Sequence, residues 1–209
     1  MLTIEWPQFL ENGLPLEHKQ KSSMTVGVFD GVHRGHQALI KRIVSHNADC
    51  SDAYSGVCCN TPEKKTPVVV TFRENHKTEE GTGNIQSFGQ KAAMLDTLGV
   101  EILLAIDFTE SFRRMSGIEF LEILLLHGNI GFFAVGSEFR CGYQQDTNAQ
   151  AIKDFFVSRK IPVEIVPEVM EDSLPISSSR IRRAIVDGDI SLAEKMLGRP
   201  FTSDKIKIF

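Results

Sequence analysis

Residues 24–36, Met24-Thr25-Val26-Gly27-Val28-Phe29-Asp30-Gly31-Val32-His33-Arg34-Gly35-His36, constrain the fold more than any other stretch. Val26, Val28 and Phe29 are strand formers. Gly27, Gly31 and Gly35 let the backbone turn sharply and approach a ligand closely. Ala38, Leu39, Ile40, Ile43 and Val44 then recur at helical spacing, which predicts a helix from about Gly35. A strand, a glycine-rich turn and a helix start form the ordinary anion cradle of an α/β protein, because the first N–H groups of a helix have no partner within it. His33 and His36 flank that start. They can donate hydrogen bonds to phosphate and carry positive charge when protonated. The run is neither the spaced-glycine dinucleotide fingerprint nor the phosphate loop ending in Gly-Lys-Ser/Thr, since no Lys follows the last Gly.

The remaining chain alternates in the same way. Pro67–Phe72 is a continuous, largely β-branched run of the kind that a parallel sheet buries on both faces. Residues 101–106, 132–135 and 163–166 read as further strands. Helices are expected at 90–98, with Ala93, Met94 and Leu98 inward, at 118–126, at 149–158, at 180–186 and at 192–197, with a short one near Phe108–Met115. Residues 1–23 read as an apolar segment with a polar lead-in, and 48–66 and 73–83 as loops. The alternation predicts an α/β fold with a doubly wound parallel sheet. Ligands of such sheets bind at the carboxyl ends of the strands. That rule gathers Asp30 to His36, Phe72 to His76, Ser137 to Gly142 and the end of the strand at 163–166 on one rim.

The 209 residues fit one domain. A formal net charge of −4 argues against sequence-independent nucleic-acid binding. No stretch approaches the length of a membrane span, and the opening residues lack a basic leader followed by an apolar run. Cys50, Cys58, Cys59 and Cys141 form no Cys-x-x-Cys pair, so free thiols in a reducing cytoplasm are expected. Oligomeric state is not legible.

A second stretch, Ile176-Ser177-Ser178-Ser179-Arg180-Ile181-Arg182-Arg183, opens a helix whose inner face is Ile181, Ala184 and Ile185. Serines there serve as helix caps or as phosphate donors, and Arg180 and Arg183 share a face. On residues alone, a capped helix with solvated arginines and a phosphate grip both fit.

Together these stretches resemble a known family. Phe29-Asp30-Gly31-Val32-His33-Arg34-Gly35-His36 is similar to the His-x-Gly-His signature of the nucleotidyltransferase superfamily, in the form found in the adenylyltransferase domain of bacterial FAD synthetases (bifunctional riboflavin kinase/FMN adenylyltransferases). Residues 176–182 resemble that superfamily's Ile-Ser-Ser-Thr-x-x-Arg motif, with Ser179 in place of Thr. Val70-Thr71-Phe72 followed by His76 resembles Thr-Phe-x-Pro-His-Pro, with neither proline present. Val135-Gly136-Ser137-Glu138-Phe139-Arg140-Cys141-Gly142 resembles Val-Gly-x-Asp-Phe-x-Phe-Gly, with Glu138 for Asp and Cys141 for Phe. Phe108, Phe112, Ser116, Glu119 and Phe120 follow the family's spacing.

The resemblance implies a Rossmann-like nucleotidyltransferase domain with its core at about 24–190 and no C-terminal riboflavin kinase barrel. It implies transfer of AMP from ATP to FMN, giving FAD and pyrophosphate, with Mg²⁺ carried on ATP and no protein metal site. His33, His36, Ser178 and Arg180 would be catalytic. Gly27, Phe29, Asp30, Gly35, Ser177 and Ser179 would line the ATP site. Phe72, His76, Glu138, Phe139, Arg140 and Gly142 would line the flavin site. FMN phosphate is already an anion, so no side-chain nucleophile is required. Two other readings stay open: an adenylyl- or cytidylyltransferase of the same superfamily with another acceptor, and a flavin- or nucleotide-binding module without turnover.

Overall fold

The computed structural model describes residues 1–46, 64–73 and 83–201. A sheet of six parallel strands forms its centre. The strands are β1 (Leu2–Glu5), β2 (Ser22–Val26), β3 (Thr66–Phe72), β4 (Ile102–Ile106), β5 (Ile130–Gly136) and β8 (Val163–Val166), in the order β1-β4-β3-β2-β5-β8. The doubly wound α/β fold expected from the alternation is the fold observed. Helices α1 (Trp6–Asn12), α2 (Arg34–Ser45), α3 (Phe88–Thr97), α4 (Glu110–Arg114), α5 (Gly117–Gly128) and α6 (Ala149–Val157) connect or cover the strands.

The period-2 alternation of side chains sorts each strand between two cores. Val68 and Val70 of β3, Leu104 of β4 and Phe133 of β5 join Phe120, Leu124 and Phe156 on one face. Val69, Leu103, Phe132 and Ala134 join Leu39, Ile40 and Ile43 of α2 on the other. Burial on both faces explains why these strands are uninterrupted apolar runs. The serines of β2 are tolerated there because each finds a carbonyl: Ser22 Oγ donates to Gly128 O and Ser23 Oγ to Ile43 O, both at 2.6 Å.

Two expectations need correction. The segment 1–23 contributes β1 and α1, with β1 extending the sheet beside β4 in the register Leu2↔Ile102 to Glu5↔Ala105. In α3 Met94 and Leu98 pack half-buried against the core as expected, but Ala93 faces outward and the fully buried positions are Lys91 and Leu95. Among the described residues, no helix is long and apolar enough to cross a membrane. The expected loops at 48–66 and 73–83 lie largely outside the described residues, as do Cys50, Cys58 and Cys59.

The chain leaves β2 for β3 on one side and returns to β5 on the other. This reversal puts the topological switch point at the carboxyl end of β2, where open α/β sheets hold their ligands. Two small hairpins close over that rim: β6 (Arg140–Cys141) with β7 (Thr147–Asn148), and β9 (Met170–Glu171) with β10 (Leu174–Pro175). Helices α7 (Ser178–Val186) and α8 (Ile190–Leu197) form a third apolar cluster with Ile85 and Ile176 beside the first turn.

Candidate active site

The loop after β2 is strained. Phe29, Gly31 and Val32 take φ values of 52°, 81° and 37°. Glycine adopts such angles freely, whereas Phe29 and the β-branched Val32 do so at a cost of about 1–3 kcal/mol each. The sharp turn aims the start of α2 at the switch point. His33 is the cap of α2: its Nδ1 accepts the His36 backbone N–H at 3.4 Å. The His33 ring folds back over Gly35, where a Cβ would sit 3.2 Å from ring atoms Nδ1 and Cε1. The His-x-Gly-His spacing therefore has a steric component, since a side chain at 35 would press on the first imidazole.

The two imidazoles stack, with centroids 3.6 Å apart and planes at 19°, and Phe29 meets His36 edge-on at 5.1 Å. Burial lowers the His33 pKa to about 4, helped by the positive charge of Arg199. Burial also drives the His36 pKa well below the usual histidine value, helped by His33 and Lys91. Both rings are thus neutral near pH 7 in this state, in place of the cationic pair that their residue type permits. With Nδ1 of His33 accepting, its proton lies on Nε2, leaving that N–H as a donor.

The second stretch packs directly on this loop. Ser177 caps α7, its Oγ accepting the Arg180 N–H at 3.2 Å. Ser178 Oγ donates to the Asp30 carbonyl at 2.8 Å. Ser179 Oγ accepts from Arg182 Nη2 at 3.2 Å. Arg182 is buried and its Nη1 meets Asp30 Oδ2 at 2.6 Å. The other Asp30 oxygen accepts the Ile85 N–H at 2.9 Å.

One large cavity, about 1310 Å³, opens at the switch point. Its lining includes Gly27, His33, His36, Ser177, Ser178 and Arg182. Phe29, Gly35 and Ser179 line it as well. The aromatic rings of Phe72, Phe108, Phe112 and Phe139 join the lining, as do Glu138, Arg140 and Gly142. Phe72 packs edge-on against both Phe108 and Phe112, at 5.5 and 5.7 Å. Gly142 has φ 83°, and a Cβ there would collide with the Gly117 backbone and the Asp146 carboxylate, so it shapes this loop by close approach. The Cys141 thiol is pushed up to about 12 by burial and by Asp146, which leaves it protonated and unreactive.

Of the residues expected at the site, two stand outside the cavity lining. Asp30 turns its carboxylate away, to Arg182 and Ile85. Arg180 sends its guanidinium to the carbonyls of Glu171 and Leu174, at 2.8 and 2.9 Å, and so clamps the β9–β10 hairpin. The arginine of this stretch that reaches the cavity is Arg182, which is also where the spacing Ile-Ser-Ser-Thr-x-x-Arg falls when counted from Ile176. His76 lies outside the described residues. Three participants were not anticipated as such: Arg182, Lys91 and Arg199. Lys91 is 5% exposed, and its Nζ donates to Val28 O at 3.0 Å and Phe72 O at 2.8 Å. Helical spacing, which turns Ala93, Met94 and Leu98 inward, gives no sign of it.

Among the described residues, no group of three or more His, Cys, Asp or Glu could hold a metal ion. The side chains supply neutral N–H and O–H donors, one buried guanidinium and an aromatic wall. Donors of that kind suit an anion, and aromatic faces suit a flat ring.

The family model described as FAD synthetase matches residues 16–180. The chain is 30% identical, over 183 residues, to the bifunctional riboflavin kinase/FMN adenylyltransferase of Buchnera aphidicola subsp. Schizaphis graminum, covering 87% of this chain and 56% of that protein. It is 29% identical over 192 residues to the protein of the same description from Bacillus subtilis, covering 88% and 56%. The chain thus spans little more than half the length of these curated relatives. A crystal structure described as a macrolide-efflux protein from Streptococcus pneumoniae superposes with a TM-score of 0.77 at 27% identity, covering 96% of this chain and 61% of that one.

Proposed function

This chain belongs to the FAD synthetase family, a family of nucleotidyltransferases, and we propose that it transfers the adenylyl group of ATP to FMN, giving FAD and pyrophosphate. The observation that carries the reading is the composition of this one cavity, which joins His33, His36, Ser177, Ser178 and Arg182 to the rings of Phe72, Phe108, Phe112 and Phe139. At about 1310 Å³ it exceeds the roughly 300–1,000 Å³ of a site for one drug-sized ligand, as two substrates meeting head to head require.

A phosphate oxygen of FMN attacks the α-phosphorus of ATP. The new P–O bond forms as the bond from that phosphorus to the bridging oxygen breaks, and pyrophosphate leaves with the bonding electron pair. The nucleophile is already anionic, so the protein has only to align the groups and stabilise charge. His33 Nε2–H and the His36 ring lie at the start of α2, where they and the helix N–H groups donate to α-phosphate oxygens. Arg182, held by Asp30 and Ser179, faces the leaving phosphates together with the hydroxyl of Ser177, while Ser178 fixes the turn through the Asp30 carbonyl. Phe72, Phe108, Phe112 and Phe139 hold the isoalloxazine rings. Mg²⁺ enters with ATP as part of the substrate, bound by phosphate and water, and the lack of a carboxylate cage among the described residues is compatible with that role.

The test is direct. The purified chain is incubated with MgATP and FMN, and the flavins are separated. FAD and an equal amount of pyrophosphate are the expected products. Riboflavin, which lacks the attacking phosphate, gives no dinucleotide. Pyrophosphate release with other phosphorylated acceptors but not with FMN would move the assignment to another acceptor of the same chemistry. Flavin binding without any pyrophosphate would leave a binding module.

A further inference from the structure

In the strained turn after β2, five successive backbone carbonyls are each held by a side chain from elsewhere. The Val28 carbonyl accepts from Thr71 Oγ1 at 3.0 Å and Lys91 Nζ at 3.0 Å. The Phe29 carbonyl accepts from Gln86 Nε2 at 3.4 Å. The Asp30 carbonyl accepts from Ser178 Oγ at 2.8 Å, the Gly31 carbonyl from Arg199 Nη2 at 2.9 Å and the Val32 carbonyl from Gln37 Nε2 at 2.9 Å. Arg199 Nη2 also donates to Gln86 Oε1 at 3.2 Å, so one guanidinium orients the amide that holds Phe29 and itself holds Gly31. Left-handed backbone at Phe29 and Val32 persists only when its surroundings over-determine it. The donors come from α2, β3, the segment just before α3, α3 itself, α7 and the second residue after α8.

We propose that Arg199 and Lys91, which lie in neither phosphate signature, are positioning residues for adenylyl transfer, holding the 28–32 loop in the strained shape that sets the stacked His33–His36 pair. They are the two charged donors of the set, and hydrogen bonds from charged donors are about twice as strong as neutral ones. Lys91 also donates to Phe72 O, which ties the histidine loop to the strand end that begins the aromatic wall. The segment bearing Arg199 is fastened to the loop at a further point: Gln37 Nε2 bridges the carbonyls of Val32 and Leu197, both at 2.9 Å. Arg199 is one of the causes that keep the His33 ring neutral and able to accept the His36 N–H, so its charge and its hydrogen bonds act on the same group. Neither residue lines the cavity, so each acts through the loop rather than on substrate.

The role in catalysis rests on the adenylyl-transfer reading, and the test separates the two. Arg199→Met, Arg199→Lys and Lys91→Met are made in the full chain. Each is followed by thermal unfolding, by kcat and KM for ATP and FMN, and by ¹⁵N NMR of the histidine rings, assigned with His33→Asn and His36→Asn. Arg199→Met is expected to stay folded and to lose about 10- to 100-fold in kcat, the range that a misplacement of up to 1 Å produces. KM for FMN should change little, and the His33 and His36 ring signals should move while the other histidines stay put. Arg199→Lys, which keeps the charge and one donor, recovers part of the loss. Lys91→Met shows the same pattern wherever it folds. A folded Arg199→Met protein with wild-type kcat, or with unaltered His33 and His36 signals, overturns the proposal. If the wild type makes no FAD, the adenylyl-transfer reading fails, and the ring signals alone then decide whether Arg199 and Lys91 position the histidines.

Discussion

Asp30 and Arg182 stand 152 residues apart in the chain and 2.6 Å apart in the structure, both buried. Asp30 belongs to the turn after β2 and Arg182 to the stretch that opens α7, so this pair bolts one stretch to the other. Ser178, donating to the carbonyl of the same Asp30, doubles the joint.

Breaking that pair from one side leaves a buried charge uncompensated, which costs about 3–5 kcal/mol. Asp30→Ala and Arg182→Met are each expected to lower the unfolding free energy by that amount in urea titrations. The double variant Asp30→Ala/Arg182→Met should lose distinctly less than the sum of the two. Additive losses would mean that the two side chains are not coupled in the folded protein.

The neutral histidines make stability depend on acidity. For His33 the unfolded chain has the ordinary value near 6.5 and the folded protein about 4. Between these values the unfolded state binds the extra proton, so stability rises with pH across this window. The contribution is complete above about pH 6.5 and is lost as pH falls towards 4, by an amount on the order of 3 kcal/mol. His36 is shifted in the same direction. His33→Asn keeps an oxygen to cap α2 but cannot titrate. Its urea-unfolding free energy should therefore fall less steeply than the wild type's between pH 6.5 and 4.5, and equal slopes would remove His33 as the source.

The strands at β3, β4 and β5 were legible because burial on both faces leaves a local mark, a run of apolar residues, whereas the strand expected to include Val28 and Phe29 ends at Val26, and Phe29 sits in the turn at φ 52°. β1 was not, because Leu2–Glu5 are four residues at an edge whose partner, β4, begins a hundred residues later. The turn of the β9–β10 hairpin was also hidden. Asp172 and Ser173 adopt left-handed angles there without the glycine that usually announces such a turn. The His-x-Gly-His group was legible because its steric logic is contained within four residues. Arg182 was underrated in favour of Arg180 because helical spacing says which arginines share a face, but not which guanidinium finds an acid 152 residues away. Lys91 and Arg199 were missed because a lone Lys or Arg ordinarily points to solvent, and only tertiary contact supplies the carbonyls that draw these two inward.

The two arginines of the second stretch should separate cleanly in binding experiments. Arg182→Ala removes the guanidinium at the cavity, and its ATP dissociation constant is expected to rise by roughly tenfold or more, the loss of a charge-assisted contact. Arg180→Ala frees the β9–β10 hairpin carbonyls and should change ATP affinity by less than about threefold. Faster proteolysis within residues 170–175 is expected instead. Isothermal titration with a non-hydrolysable ATP analogue measures the first pair of effects and limited proteolysis the second. A larger affinity loss at Arg180 than at Arg182 would reverse the assignment.

Trp6 offers a built-in reporter for the aromatic end of the cavity. It is the only tryptophan in the chain, and it meets Phe112 edge-on at 5.7 Å and 88°, directly behind the cavity wall. A flavin seated against Phe72, Phe108 and Phe112 would lie within energy-transfer range of that indole, so FMN is expected to quench Trp6 emission saturably, whereas ATP alone leaves it nearly unchanged. Phe112→Ala removes one ring of that wall, with its edge contacts to Phe72, Phe120 and Trp6 and its tilted contact to Phe108. With about 0.5–1.5 kcal/mol for the one ring–flavin pair lost, FMN affinity should fall by up to about tenfold. ATP affinity, which does not draw on this ring, should hold. Equal losses for both ligands would show that the aromatic wall does not select the acceptor, and would leave the flavin without a defined seat.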